Sequence, residues 1–186
     1  MNKEALFKSL DYVNHSREKR QEMATLILTN PHLIPHLLSI ALTIDNPISC
    51  RACWVLEFTA KKQLDYLFPY LDSFTASLHK VHFDSAVRPM AKICEYLITS
   101  YFSQKKTATK KHLTNEHLER ITANCFDWLI GDHKVAAQAY SMTCLLLLGR
   151  KYDWIYPELR MVLEQNYANG SAAYKARARM TLEKIK

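Results

Sequence analysis

Cys50-x-x-Cys53 has the spacing of a redox dithiol or of half a zinc site. A zinc site needs a second ligand pair and a thioredoxin-like centre needs a βαβ setting; the sequence supplies neither, so two buried thiols inside a helix are expected. His32 and His36 stand four apart, a metal-capable spacing on a helix. The residue after His32 is Leu33, however, where the H-E-x-x-H motif places its general base. His79 and His82 flank a predicted helix end and suit its dipole. No nucleophile elbow, phosphate-binding glycine loop, dinucleotide fingerprint or kinase set is present. No metal, cofactor or catalytic residue is therefore expected, and enzymatic activity has no motif behind it.

A second set is ionic. Arg51, Glu57, Arg88, Lys92 and Glu95 lie in segments otherwise rich in apolar residues. A carboxylate such as Glu95 on an apolar face must find a cation or shift its pKa, and Arg88 is the expected structural partner. The same residues form a candidate polar patch for a partner. Three Trp and ten Tyr raise the further possibility of base stacking. Trp128 and Trp154, each preceded by Asp, form a candidate recognition pair, but Trp128 falls on a helical stripe with Ile121 and Cys125 and is expected in the core. Tyr66 and Tyr70, four apart, are the expected exposed lining, with Arg120 and Glu158 beside them on second helices.

The elements that would position these residues repeat. Asp84 to Ala91 reads D-x-x-V-R-x-x-A, Asp132 to Ala139 reads D-x-x-V-A-x-x-A, and Asp45 to Ala52 reads D-x-x-I-S-x-x-A. Ser171 to Ala178 is a weaker copy. The alanines Ala52, Ala91, Ala139 and Ala178 are 39, 48 and 39 residues apart, a repeat with one insertion. The Asp or Ser of each copy is expected to cap a helix, and the small Ala to admit a neighbouring helix. Second helices are predicted near Tyr66 to His79, over Leu113 to Ile130, and from Trp154 onward. Ser16 to Thr29 with Pro31 to Thr43 reads as a shorter pair, with Ala24 in the Ala position. Gly131, Gly149 and Gly170 sit where left-handed C-terminal caps are expected. The prediction is a single all-α domain over residues 1–186, with an N-terminal capping helix in 1–15, a basic loop insertion at 103–112 and a C-terminal capping helix at 171–186.

D-x-x-V-R-x-x-A at a period near 40 resembles the HEAT repeat of armadillo-type solenoids, from about Ser16 to Lys186. The resemblance implies a right-handed α-α superhelix of about four to five helix pairs and a protein or peptide partner held on a concave surface of second helices. One HEAT-like family comprises alkylpurine DNA glycosylases, which makes a nucleic-acid-binding or DNA-repair module the alternative expectation. The whole chain is also similar to a group of small bacterial HEAT-like proteins labelled adenylosuccinate lyase. The S-S-x-M-P-x-K-x-N-P loop of the lyase superfamily is absent from this sequence.

Charge separates along this register. The chain has 186 residues with 25 basic and 18 acidic side chains, a net charge of +7. Lys105, Lys106, Lys110 and Lys111 in the insertion contribute +4, and the last segment, with Lys175, Arg177, Arg179, Lys184 and Lys186 against Glu183, another +4. The repeats themselves are nearly neutral, with a basic patch at each of two attachments. No apolar run approaches the roughly 20 residues of a transmembrane helix, and the charged start Met1-Asn2-Lys3-Glu4 is unlike a secretory signal. Five Cys without framework spacing agree, so a cytoplasmic, membrane-free protein is expected.

Overall fold

The structure is a computed structural model describing residues 1–105 and 107–185. Lys106 of the basic insertion and Lys186 lie outside the described residues. Among the described residues the chain is all-α, with eleven α-helices and no strand, and no helix is long and apolar enough to cross a membrane.

Asn2 caps the first helix, α1 (Lys3–Ser9), by accepting from the Ala5 N–H at 2.9 Å. A 3-10 turn over Leu10–Tyr12 ends the segment read as the N-terminal cap. Ser16 caps α2 (Arg17–Thr29) in the same way, and Pro31 and Pro35 open a 3-10 turn and α3 (Ile34–Ala41). This places His32 in the 3-10 turn and His36 in α3, and no metal-capable group occurs among the described residues. Next come α4 (Pro47–Lys62) and a 3-10 stretch, Leu64–Tyr70, that runs into the short α5 (Leu71–Ser77). Pro69, which cannot donate an N–H, accounts for 3-10 winding where a continuous second helix was predicted. The longest helix is α6 (Asp84–Tyr101). The insertion forms a single turn, α7 (Thr109–His112), tied back by Thr107 Oγ1 to the Ser100 carbonyl and by Thr109 to the Ser100 hydroxyl. Four helices follow: α8 (Asn115–Ile130), α9 (Val135–Leu148), α10 (Ile155–Tyr167) and α11 (Ala172–Leu182).

These helices form two rows. In one, α2 packs on α4, α4 on α6, α6 on α9 and α9 on α11. In the other, α3 covers α4, α5 meets α8, and both α8 and α10 lean on α9. The shared core includes Leu56, Phe74, Met90, Leu97, Ile121, Leu145 and Leu163, all fully buried. Ala24, Ala52, Ala91 and Ala178 are fully buried, as the spacing implies for close helix approach. Ala139 is half-buried, and the inward side of α9 is instead made by Ala137, Ser141, Met142 and Cys144.

Three of the four expected caps fall elsewhere. Asn46, not Asp45, caps α4. Asp84 is the first residue of α6 rather than its cap. Asp132 lies ahead of α9, whose cap position is Lys134. Ser171 does cap α11, accepting from the Tyr174 N–H at 3.2 Å. The glycines also have a different role from the one expected. None has a positive φ. Gly149 and Gly170 admit aromatic rings: a Cβ at Gly149 would overlap the Tyr156 ring, and one at Gly170 would press on that of Tyr174.

Pro89 inside α6 illustrates how a local violation is repaired across the fold. It withholds the N–H that would bond the Ser85 carbonyl. The Trp54 indole N–H of α4 donates to that carbonyl at 2.6 Å instead, linking neighbouring helices through the defect.

Candidate binding face

The row α2–α4–α6–α9–α11 carries a line of buried and half-buried polar and aromatic side chains. On α2, the Arg20 guanidinium lies 5.0 Å from the centre of the Phe58 ring of α4. Next to Phe58, Glu57 accepts from Arg88 Nη2 of α6 at 2.7 Å. One turn further along α6, Lys92 pairs with Glu95. The Lys92 ammonium also lies 4.3 Å from the Tyr140 ring centre of α9 and 5.1 Å from that of Tyr96. Thr143, three residues after Tyr140 on α9, accepts from Arg177 of α11. Five consecutive helices are thus crossed by cation–π contacts, ion pairs and charge-assisted hydrogen bonds.

Electrostatics centre this line on Glu57. Its side chain is 9% exposed, and desolvation pushes its pKa up although Arg88, Arg20 and Lys92 all pull it down. Burial, and then the like charge of Arg88, lowers the pKa of Arg20. Burial and the carboxylates of Glu57 and Glu95 push the Tyr96 phenol up to about 12, so it remains a neutral hydrogen-bonding group. The line holds both signs at close quarters: Glu57 and Glu95 are interleaved among Arg20, Arg88, Lys92 and Arg177. It can hold an amphipathic, mixed-charge surface more readily than a uniformly anionic one.

The expected Arg88–Glu95 pair is replaced by two pairs. Arg88 reaches across to Glu57 on the neighbouring helix, while Glu95 is taken by Lys92, three residues earlier on its own helix. Arg51 is engaged elsewhere, binding the carbonyl and carboxylate of Asp11. Arg88, Lys92 and Glu95 therefore come together on α6, and Arg177 reaches the line at Thr143 as a half-buried residue rather than a solvated terminal charge. Its Nε finds no hydrogen-bond partner among the described residues.

The second-helix candidates do not converge in the same way. Tyr66 and Tyr70 are half-buried against the core, in place of the exposed lining expected of them; the Tyr66 hydroxyl donates toward the Leu28 carbonyl at 3.5 Å. Arg120 pairs with Glu116 and reaches Thr75 Oγ1 at 3.5 Å. Glu158 is exposed on α10. Lys105, Lys110 and Lys111 are exposed around the insertion, and Arg179 is exposed on α11.

All five cysteines are buried and unbridged. Burial raises the thiol pKa of Cys50 and raises that of Cys53 further, which makes thiolate chemistry unfavourable there. Trp128 is buried, as its stripe implies, while Trp154 is 54% exposed and stacks on Phe126.

Arg20, Tyr96 and Tyr140 were not singled out in the sequence. A signal for Tyr140 was present: Lys92 and Tyr140 each directly follow a repeat alanine, Ala91 and Ala139, so equivalent positions on stacked helices meet. Comparison with protein-family models, curated proteins and solved structures finds no match to this chain.

Proposed function

We propose that this protein is a non-enzymatic scaffold: a right-handed superhelix of about four to five HEAT-like helix pairs that binds a segment of another protein across the α2–α4–α6–α9–α11 face. The observation that carries this reading is the continuous line from Arg20 through Glu57, Arg88, Lys92 and Tyr140 to Arg177, which crosses five stacked helices. Arg and Tyr supply contact area and directed donors together, and both are enriched at protein interfaces. Stacked repeats present such residues at regular intervals along an extended surface. This location departs from the second-helix surface implied by the resemblance, because Tyr66 and Tyr70 spend their rings on the core.

A polypeptide fits this line better than a nucleic acid does. A nucleic-acid backbone presents successive phosphates and is held by an uninterrupted run of cations, whereas here the carboxylates of Glu57 and Glu95 are interleaved among Arg88 and Lys92. The test is affinity capture from the native cell with wild type, a Lys92→Glu/Tyr140→Ala variant and a Glu158→Ala variant, each with and without nuclease. The scaffold reading expects a nuclease-resistant polypeptide retained by wild type and Glu158→Ala and lost from the double variant. Nuclease-sensitive capture, or capture indifferent to the double variant, would overturn it.

A further inference from the structure

At one end of this face, a cleft of about 380 Å³ opens between α2, α4, α6 and the start of α9, lined by His15, Arg20, Trp54, Asp84, Arg88 and Lys134, with Ser85. Three cations border it. Arg20 donates from Nε to the Ser16 carbonyl at 3.2 Å and from Nη2 to the His15 carbonyl at 3.0 Å, so its orientation is fixed without using a carboxylate. Arg88 gives Nη2 to Glu57 and keeps further donors in its planar fork. Lys134 is exposed at the mouth, at the cap position of α9. The one carboxylate in the lining, Asp84, is held from outside the cleft by His133 Nδ1 at 2.9 Å. The remaining wall is aromatic: the His15 and Trp54 rings lie 4.9 Å apart, and Trp54 is locked by its bond to the Ser85 carbonyl.

We infer that this cleft is a binding site for a phosphate group borne on a small organic molecule. The guanidinium forks of Arg20 and Arg88 suit a tetrahedral oxyanion, and Lys134 adds a mobile point charge. The His15–Trp54 side takes the apolar part of the ester, and Asp84 accepts from a donor on it. Burial lowers the pKa of Arg20, and the like charge of Arg88 lowers it further against the pull of Glu57; an entering dianion offsets that like-charge repulsion. The site shares Arg20 and Arg88 with the polypeptide-binding line, whereas Lys134, Trp54 and His15 belong to the cleft alone.

Calorimetric titrations of the full chain with inorganic phosphate, phenyl phosphate and phenol separate the contributions. The inference expects phenyl phosphate to bind more tightly than phosphate, phenol not to bind, and binding to weaken with salt. Lys134→Ala should weaken phenyl phosphate about three- to tenfold and Arg20→Gln about tenfold or more, with Lys151→Ala as an unaffected control. Circular dichroism melts confirm that each variant is folded, and Lys134→Ala serves alone if Arg20→Gln is not. Absence of phosphate-ester binding, phenol binding as well as phenyl phosphate, or variants that bind like wild type would overturn the site. None of these results alters the capture pattern expected of the scaffold, so the two readings fail separately.

Discussion

At the scale of the residue, the controlling feature is a carboxylate that the fold buries and then surrounds with cations. Removing one member of such a pair leaves the other's desolvation uncompensated, whereas replacing both with apolar groups removes the problem. Because Arg88 is partly exposed, Arg88→Met alone should cost about 1–3 kcal/mol in urea unfolding, and Arg88→Met with Glu57→Leu should cost less than the single change. Equal or additive losses would show that the pair is not coupled. The raised pKa of Glu57 carries a pH signature of definite sign. Between the ordinary carboxylate value and its own, the folded state holds a proton that the unfolded state has released, so the group's contribution to stability declines as pH rises through the folded pKa. Glu57→Gln cannot lose that proton. Its stability relative to wild type should increase with pH upward from about 4.5, the ordinary value, and then level off, as measured by urea unfolding across pH 4 to 8. A constant difference would contradict the burial argument.

At the scale of the element, helix boundaries depend on close contacts as much as on caps. Gly149 is needed because the Tyr156 ring occupies the space of a Cβ, and the Tyr156 hydroxyl donates to the Leu146 carbonyl at 3.3 Å. Gly149→Ala should therefore destabilise the fold by about 1–3 kcal/mol, with a smaller penalty in a Tyr156→Ala background. Thermal unfolding of the four-member cycle measures the coupling. Ser171→Ala should cost about 1 kcal/mol through loss of the α11 cap, while Asp132→Ala, outside the helix, should cost far less. The helices of the repeat were legible in the sequence because buried alanines and apolar stripes recur at fixed spacing. Ala52, Ala91 and Ala178 are buried as that spacing requires. The caps were less legible: Asn46 satisfies a helix start as well as Asp45 would, and a choice between adjacent polar residues is made by the preceding turn. The 3-10 winding at Leu64–Tyr70 follows from Pro69, a local signal that the long apolar pattern obscured.

At the scale of the whole molecule, the charge excess and the interaction line are largely separate. The described lysines of the insertion, Lys105, Lys110 and Lys111, are exposed, and among the described residues of the basic terminal segment Arg177 joins the line through Thr143. The site was partly legible for the same reason as the fold: Arg88, Lys92 and Glu95 violate the apolar pattern of α6 and stand out. Their partners were not, because Arg88 can reach Glu57 or Glu95, and only the placement of α4 beside α6 decides between them. Arg20 gave no signal within its own helix, since a basic residue on α2 reads as solvated until Phe58 and Glu57 are brought beneath it. The central claim, that the face crossed by these residues holds a polypeptide, is tested most directly by placing a photoreactive phenylalanine analogue at Tyr140 or, separately, at Glu158 and irradiating intact cells. A protease-sensitive, nuclease-resistant adduct from Tyr140 and none from Glu158 is predicted. Adducts confined to Glu158, or nucleic-acid adducts at Tyr140, would contradict the claim.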